Sequence, residues 1–248
     1  MMASKLILIR HGQSDWNLKN LFTGWTDVEL TAKGRSEAKN AGKIIANLDF
    51  NIDIAFTSLL KRAIHTLWLI LDEIDRPWLT VIRDWRLNER HYGALQGLDK
   101  SETTKKYGEE QVQIWRRSYD IDPPPLLDDD ERHPKKDQRY MGINNLPTTE
   151  SLATTLIRVQ QCWDEMILPA LKNNQNILIT AHGNSLRALI KMLDGISEEE
   201  ITEFNIPTGV PILYHLDENQ KPLSREFLGD PKSIEEAMQS VANQANDK

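Results

Sequence analysis

Five short apolar runs punctuate the chain, at residues 6–9, 52–56, 81–82, 177–179 and 212–216. Each has the length of a buried strand rather than of a helix. Between them, apolar residues recur at helical spacing. Leu156, Val159, Trp163 and Met166 follow the rhythm of an amphipathic helix that starts near Leu152. Leu186, Leu189, Ile190 and Leu193 repeat it after the run at 177, and Leu67, Ile70 and Leu71 after the run at 52. Strands alternating with helices predict an α/β fold, a three-layer sandwich with a mostly parallel central sheet and helices on both faces. One stretch breaks the rhythm. Residues 100–146 contain Trp115, Arg116 and Arg117, three prolines at 123–125 and an acidic run at 128–131. Prolines and mixed charge suit neither a core strand nor a regular helix. Residues 128–137 are therefore expected as solvated insert, whereas the segment holding Trp115 and Tyr119 can fold over a site. Residues 231–248 read as a short helix with a polar tail. Neither a repeat nor a Gly/Ser linker divides the chain, so a single domain over residues 1–248 is expected, with the insert at about 100–146 over the site and a mobile tail from about 231.

Composition narrows the function. The 248 residues carry 40% hydrophobic and 27% charged side chains, the balance of an ordinary globular protein. A net charge of −7 argues against nucleic acid or an anionic membrane as partner. Any anion site must then be a local cluster of Arg and Lys. The single cysteine, Cys162, excludes an intrachain disulfide and a Cys-rich metal site, and its apolar helical surroundings make it a small core residue. The first apolar run, about four residues, is too short for a secretory leader or a membrane span, and the cytoplasm is the expected location.

Candidate chemistry appears where strands end. LILIRHGQSDWN, residues 6–17, sets Arg10, His11 and Gly12 directly after a strand, at what would be the carboxyl edge of the sheet. NILITAHGNSLRALIKML, residues 176–193, repeats this grammar with His182, Gly183 and Asn184. FTSLLKRAIHT, residues 56–66, turns from strand into a helix carrying Arg62, with Lys61 and His65 on its solvated face. LNERHYGALQG, residues 87–97, offers Glu89 among Arg90, His91 and Tyr92 in a Gly-punctuated loop. Together these residues suit phosphoryl transfer. Guanidinium groups match phosphate oxygens with a planar fork of donors. A neutral histidine can accept and pass on the phosphoryl group, and nearby arginines disfavour its protonation. A second histidine can stabilise the transferring oxygens while a carboxylate exchanges the acceptor's proton. No metal is required, and the sequence has no Walker A run, HExxH or GxGxxG.

RHGQSDWN, FTGW, LTAKG, TSLLKRAIHT, WRLNERHYGALQGLDK, WRRSYD, LPTTESL, AHGNSLRALIK and IPTGVPILYHLD, in this order, resemble the cofactor-dependent phosphoglycerate mutases of the histidine phosphatase superfamily nearly end to end. The resemblance implies that His11 is the phosphorylated nucleophile, Glu89 the proton donor and acceptor, and His182 the group that stabilises the transition state. It implies that Arg10, Ser14, Asn17, Arg62, Gly183 and Asn184 contact phosphate or substrate. Thr23, Gly24, Arg90, Tyr92, Lys100, Arg116 and Arg117 would hold the glycerate carboxylate and the distal phosphate. The implied reaction interconverts 3-phosphoglycerate and 2-phosphoglycerate, with 2,3-bisphosphoglycerate as the priming phosphoryl donor and no metal. The two phosphoglycerates and a second copy of the chain in a homodimer are the expected partners, although the family includes monomers, dimers and tetramers. Gln13 stands where many members have Glu.

Two other readings compete. A phosphatase of the same superfamily would carry the same histidines, arginines and carboxylate, but has no need of the second anion-binding set around Arg116 and Arg117. Its branch with RHGxRxP is excluded, because Ser14 and Trp16 occupy the places of that Arg and Pro. A catalytically dead binding protein on this fold would require a lost catalytic residue, and none is lost. The family also includes bisphosphoglycerate synthase activity, but its main-activity form resembles one with Gly in the place of Ser14, so only a side-activity of that kind is compatible with this sequence.

Overall fold

The computed structural model describes residues 4–243. Six strands form one sheet: β1 (Lys5–Arg10), β2 (Ile54–Thr57), β3 (Val81–Arg83), β4 (Ile177–Ala181), β5 (Pro211–Leu216) and β6 (Pro222–Phe227). Among the described residues, ten helices surround it: α1 (Asp15–Leu18), α2 (Ala32–Ala46), α3 (Lys61–Glu73), α4 (Lys100–Tyr107), α5 (Glu109–Arg117), α6 (Leu152–Cys162), α7 (Leu168–Lys172), α8 (Gly183–Asp194), α9 (Glu198–Glu203) and α10 (Pro231–Asn243). The strand order is β3-β2-β4-β1-β5-β6. The first four of these run parallel, β5 lies antiparallel to β1, and β6 antiparallel to β5.

Alternation along β1 shows why the sheet needs cover on both faces. Leu6 and Leu8 join a core with Phe56, Ile177 and Ile179 under α6 and α8. Ile7 and Ile9 point the other way, into a core with Ala55 and Leu178 under α2 and α3. All four β1 residues are fully buried, as a central strand covered on both sides must be. The helical stretch from Leu152 continues through a π-helical turn (Trp163–Ile167) into α7, and Cys162 is a buried core residue whose thiol burial raises to about 12.

Two expectations need revision. Strand β6 has no apolar run to announce it. It is an edge strand with exposed or half-exposed positions throughout, placed by antiparallel pairing with β5 rather than by its own hydrophobicity. Residues 128–137 are not simply solvated: His133 and Pro134 are buried, and Arg132 Nη1 donates to the Gln96 carbonyl at 2.7 Å. Among the described residues, no helix is long and apolar enough to cross a membrane.

The topology fixes where a ligand can bind. β1 and β4 are neighbours, and the chain leaves β1 towards α2 on one face but leaves β4 towards α8 on the other. Such a switch point opens a crevice at the carboxyl ends of the strands.

Candidate active site

All four parallel strands deliver chemistry to this crevice. β1 ends in Arg10 and His11, β4 in His182, β2 in Ser58 and then Arg62 on α3, and β3 leads through a single 3-10 turn to Glu89. The His11 N–H donates to the Ala181 carbonyl at 3.0 Å, which sets the two strand-His-Gly turns side by side. The His11 and His182 rings meet edge-on, with centroids 5.0 Å apart and planes 62° apart.

Local hydrogen bonds select the reactive atom of His11. Its Nδ1 lies 2.7 Å from the Gly12 carbonyl, which can only accept, so the ring proton is assigned to Nδ1. Nε2 then holds the free lone pair, and Arg62 Nε donates to it at 3.2 Å. Burial, followed by the Arg62 and Arg10 charges, holds the imidazolium well below the usual histidine range, so the ring stays a neutral nucleophile. Arg62 is itself locked: Nη1 donates to the Thr26 carbonyl at 2.9 Å and Nη2 to the Gly24 carbonyl at 2.8 Å. Burial lowers it to about 10, which still leaves it charged.

His182 is fully buried, and its Nε2 pairs with Ser58 Oγ at 2.7 Å while its Nδ1 has no partner. Burial and then Arg62 keep this ring neutral as well. Glu89 Oε1 accepts the backbone N–H groups of Arg90 at 2.8 Å and Asn184 at 3.0 Å, leaving Oε2 to face the crevice near Gly183. A carboxylate anchored through one oxygen keeps the other available for a proton.

A cavity of about 110 Å³ opens beside these groups. Arg10, His11, Asn17, Thr23, Gly24, Arg62, Glu89, Tyr92, Lys100, Arg116, Arg117, Gly183 and Asn184 line it, as the sequence motifs place them. Three expected residues stand behind this wall. His182 sits against His11. Ser14 is the N-cap of α1, and its hydroxyl donates to Asn17 Oδ1 at 2.9 Å, so it orients Asn17. Arg90 donates from Nη2 to the carbonyls of Trp115 and Arg116 at 3.1 and 2.9 Å and stacks on Tyr92, so it braces the end of α5. Conversely, Arg187 was missed. It lies one turn along α8 from Asn184, donates to Asn184 Oδ1 at 3.0 Å and lines the cavity. Its position in the strand-His-Gly-helix motif, one turn past the turn itself, was the available signal.

Helices α4 and α5 carry Lys100, Arg116 and Arg117 to the rim of the cavity. Helix α5 rests on a small core of Phe22, Leu95 and Val112, with Tyr92 and Trp115 packed against it. Among the described residues, six cations thus line one cavity with a single carboxylate, Glu89. The crowding shows in the ionisation. Burial and the charges of Arg116 and Arg10 bring Lys100 down to about 7, and burial with Arg117 brings Arg187 down to about 9. Arg10 and Arg187 also keep a buried Nε with no acceptor. Buried donors without partners are costly, and a multiply charged anion would satisfy them. The arrangement can therefore bind a polyanion and transfer a phosphoryl group to and from His11.

The sequence profile of the histidine phosphatase superfamily (branch 1) matches residues 6–226. Among solved structures of the same fold, the alpha-ribazole phosphatase of Shigella flexneri is 23% identical, with 91% of this chain and 96% of that chain covered and a TM-score of 0.65. A mycobacterial glucosyl-3-phosphoglycerate phosphatase complexed with VO3 is 20% identical, with 91% and 97% covered and a TM-score of 0.68. Bacillus stearothermophilus YhfR is also 20% identical, with 89% and 94% covered and a TM-score of 0.68. At these identities the likeness is one of fold.

Proposed function

The chain belongs to branch 1 of the histidine phosphatase superfamily, and on that premise we propose that it is a phosphoglycerate mutase, interconverting 3-phosphoglycerate and 2-phosphoglycerate through a phosphohistidine at His11. The observation that carries this reading is the second cationic set. His11, Arg10, Arg62 and His182 suffice to handle one phosphoryl group. Lys100, Arg116, Arg117 and Arg187 also line this cavity and call for a second anionic group on the same small molecule. A phosphoglycerate carries a carboxylate as well as a phosphate. 2,3-Bisphosphoglycerate fits this donor set for the same reason, since the partnerless Nε atoms of Arg10 and Arg187 await acceptors. When bound, it supplies the phosphoryl group that primes His11.

Each residue then has a task. Arg10 and Arg62 hold the phosphoryl oxygens, and Arg62 also orients His11 Nε2. Primed His11 gives its phosphoryl group to the free hydroxyl of the substrate and then takes back the one on the other hydroxyl, which restores the phosphohistidine. His182, buried against His11, adds a dipole where charge develops on the transferring group. Glu89 takes the proton from the attacking hydroxyl and gives one to the departing oxygen. The cations at the rim hold the carboxylate and the distal phosphate while the substrate changes position.

A second reading, hydrolysis of a phosphomonoester through the same phosphohistidine, has the phosphatases of like fold in its favour. One assay separates the two. Conversion of 3-phosphoglycerate is followed with and without 2,3-bisphosphoglycerate and with EDTA, alongside release of inorganic phosphate. The mutase reading expects bisphosphate-stimulated, EDTA-insensitive isomerisation with little phosphate released. Phosphate release without isomerisation assigns a phosphatase. Incubation with labelled bisphosphate should also leave an acid-labile, base-stable label that His11→Ala abolishes. An acid-stable label would remove His11 from the nucleophile's role.

A further inference from the structure

The segment that bears Glu89, residues 86–91, has little regular structure beyond the 3-10 turn Trp85–Leu87, so its backbone polar groups need partners from elsewhere. Arg158 on α6 supplies them. Its Nη1 donates to the carbonyls of Arg86 at 2.6 Å and Asn88 at 3.0 Å, and its Nη2 to the carbonyl of Glu89 at 2.9 Å. Glu150, one residue before the N-cap Ser151 of α6, accepts the His91 N–H at 2.8 Å. The two side chains also pair with each other, Nε to Oε1 at 2.6 Å and Nη2 to Oε2 at 2.8 Å. Both are buried.

Stability alone is a weak reason for such a pair, because desolvation offsets the attraction and an apolar pair of equal volume does as well. What the pair uniquely offers is geometry. A guanidinium has five N–H donors in a rigid fork, and Arg158 spends all five: two on Glu150 and three on the carbonyls of the segment carrying Glu89. Lysine, with three donors on a flexible stem, cannot reproduce that pattern. Neither residue lines the cavity, so their effect on Glu89 passes through the segment they hold, while the charge of Arg158, which Arg158→Lys keeps, also helps to hold His182 neutral.

We propose that Arg158 and Glu150 are positioning residues, a clamp that fixes the backbone on both sides of Glu89 and so aims its carboxylate at the reacting hydroxyl. This rests on the reading of Glu89 as the proton-exchanging group. The test is a double-mutant cycle in the full-length protein, with Arg158→Lys, Glu150→Gln and Glu89→Gln made singly and the first two each combined with the third. Misplacing a catalytic group by about 1 Å costs on the order of a hundredfold. Arg158→Lys and Glu150→Gln should therefore lower kcat by about ten- to a hundredfold, while KM for 3-phosphoglycerate stays close to wild type; a lower urea midpoint accompanies the weakened buried pair, and kcat is read where circular dichroism shows the variants fully folded. In the Glu89→Gln background neither substitution should lower kcat further, because coupled residues do not add. Losses that multiply, or a loss carried in KM, would make the pair merely structural and overturn the proposal. Wild-type kcat in Arg158→Lys would overturn it too. Should Arg158→Lys fail to fold, Glu150→Gln, which keeps the shape of the pair, runs the same cycle. Full turnover in Glu89→Gln alone strikes the proton-exchange reading itself, and that is visible before the cycle is read.

Discussion

Lys100 begins α4 and lies within the fields of Arg116 and Arg10, and burial with those neighbours lowers its ammonium to about 7. Its charge state is therefore coupled to whatever anion enters the cavity. Below pH 7 the empty site already holds the ammonium, and an anion meets full charge. Above pH 7 the empty site holds the neutral amine, an anion favours the ammonium, and binding must take up a proton. Affinity for 3-phosphoglycerate should then fall as pH rises beyond 7, by up to about tenfold per unit. Arg62 and Arg187, at about 10 and 9, remain charged through this range and do not share the effect. Calorimetry at pH 8 in buffers of different ionisation enthalpy should report proton uptake that Lys100→Met removes. An affinity flat from pH 7 to 8.5 would show that Lys100 stays charged. His11 and His182 behave in the opposite sense. Both are held neutral by burial and Arg62, so their ring resonances should not titrate through the ordinary histidine range around 6.5.

The two strand-His-Gly turns look interchangeable in the sequence but are not alike in the fold. A Cβ on Gly12 would lie 2.1 Å from the Gly34 carbonyl oxygen, because the turn after β1 packs directly on the backbone of α2. At Gly183 the nearest atoms, in Arg10 and Glu89, lie at an ordinary 3.6 Å. Gly12→Ala should cost on the order of 1–3 kcal/mol or more, read from urea unfolding, since rigid backbone has nowhere to move. Gly183→Ala should leave the urea midpoint near wild type, since Gly183 opens a helix where alanine is well tolerated. Its methyl group would instead crowd the cavity and raise KM. Equal destabilisation by both substitutions would refute this distinction. The same contrast explains what was legible from sequence. β1 and β4, buried on both faces, announce themselves as apolar runs, and the residues at their ends can be named in advance. β6 answers to a neighbour and carries no such run. Ser14 and Arg90 carry the right chemistry at the right place in the motif, yet they serve their neighbours, and only side-chain hydrogen bonds distinguish holding a ligand from holding the residue that does. Glu150 and Arg158 are 59 to 72 residues from the segment they grip, a relation no local pattern carries.

At the scale of the whole molecule, the site gathers cations at one sheet edge of a chain whose net charge is −7, so an anion is drawn to a single mouth. An open mouth suits hydrolysis, because water that reaches a phosphohistidine ends the cycle; a mutase must keep water out while its substrate turns. Two segments can provide cover. Helices α4 and α5 form one wall and bring Lys100, Arg116 and Arg117 with them. The other is α10, expected from sequence as a short helix with a mobile polar tail. It runs to Asn243, places Val241 at the cavity, and has Ile234 near Ile44 of α2 beside Gly229; residues 244–248 lie outside the described part of the chain. Among the described residues, none of α10 belongs to the three buried cores, so its removal costs the fold little. Truncation after Gly229 should leave the far-ultraviolet circular dichroism nearly intact and His11 still able to accept label from 2,3-bisphosphoglycerate. Mutase turnover should fall, and hydrolysis of the bisphosphate relative to mutase turnover should rise, because the phosphoryl group on His11 then meets solvent. The ratio is the decisive quantity, since general damage lowers both activities together. A truncated protein with the wild-type ratio would show that α10 plays no part in excluding water, and would leave α4 and α5 as the cover on the site.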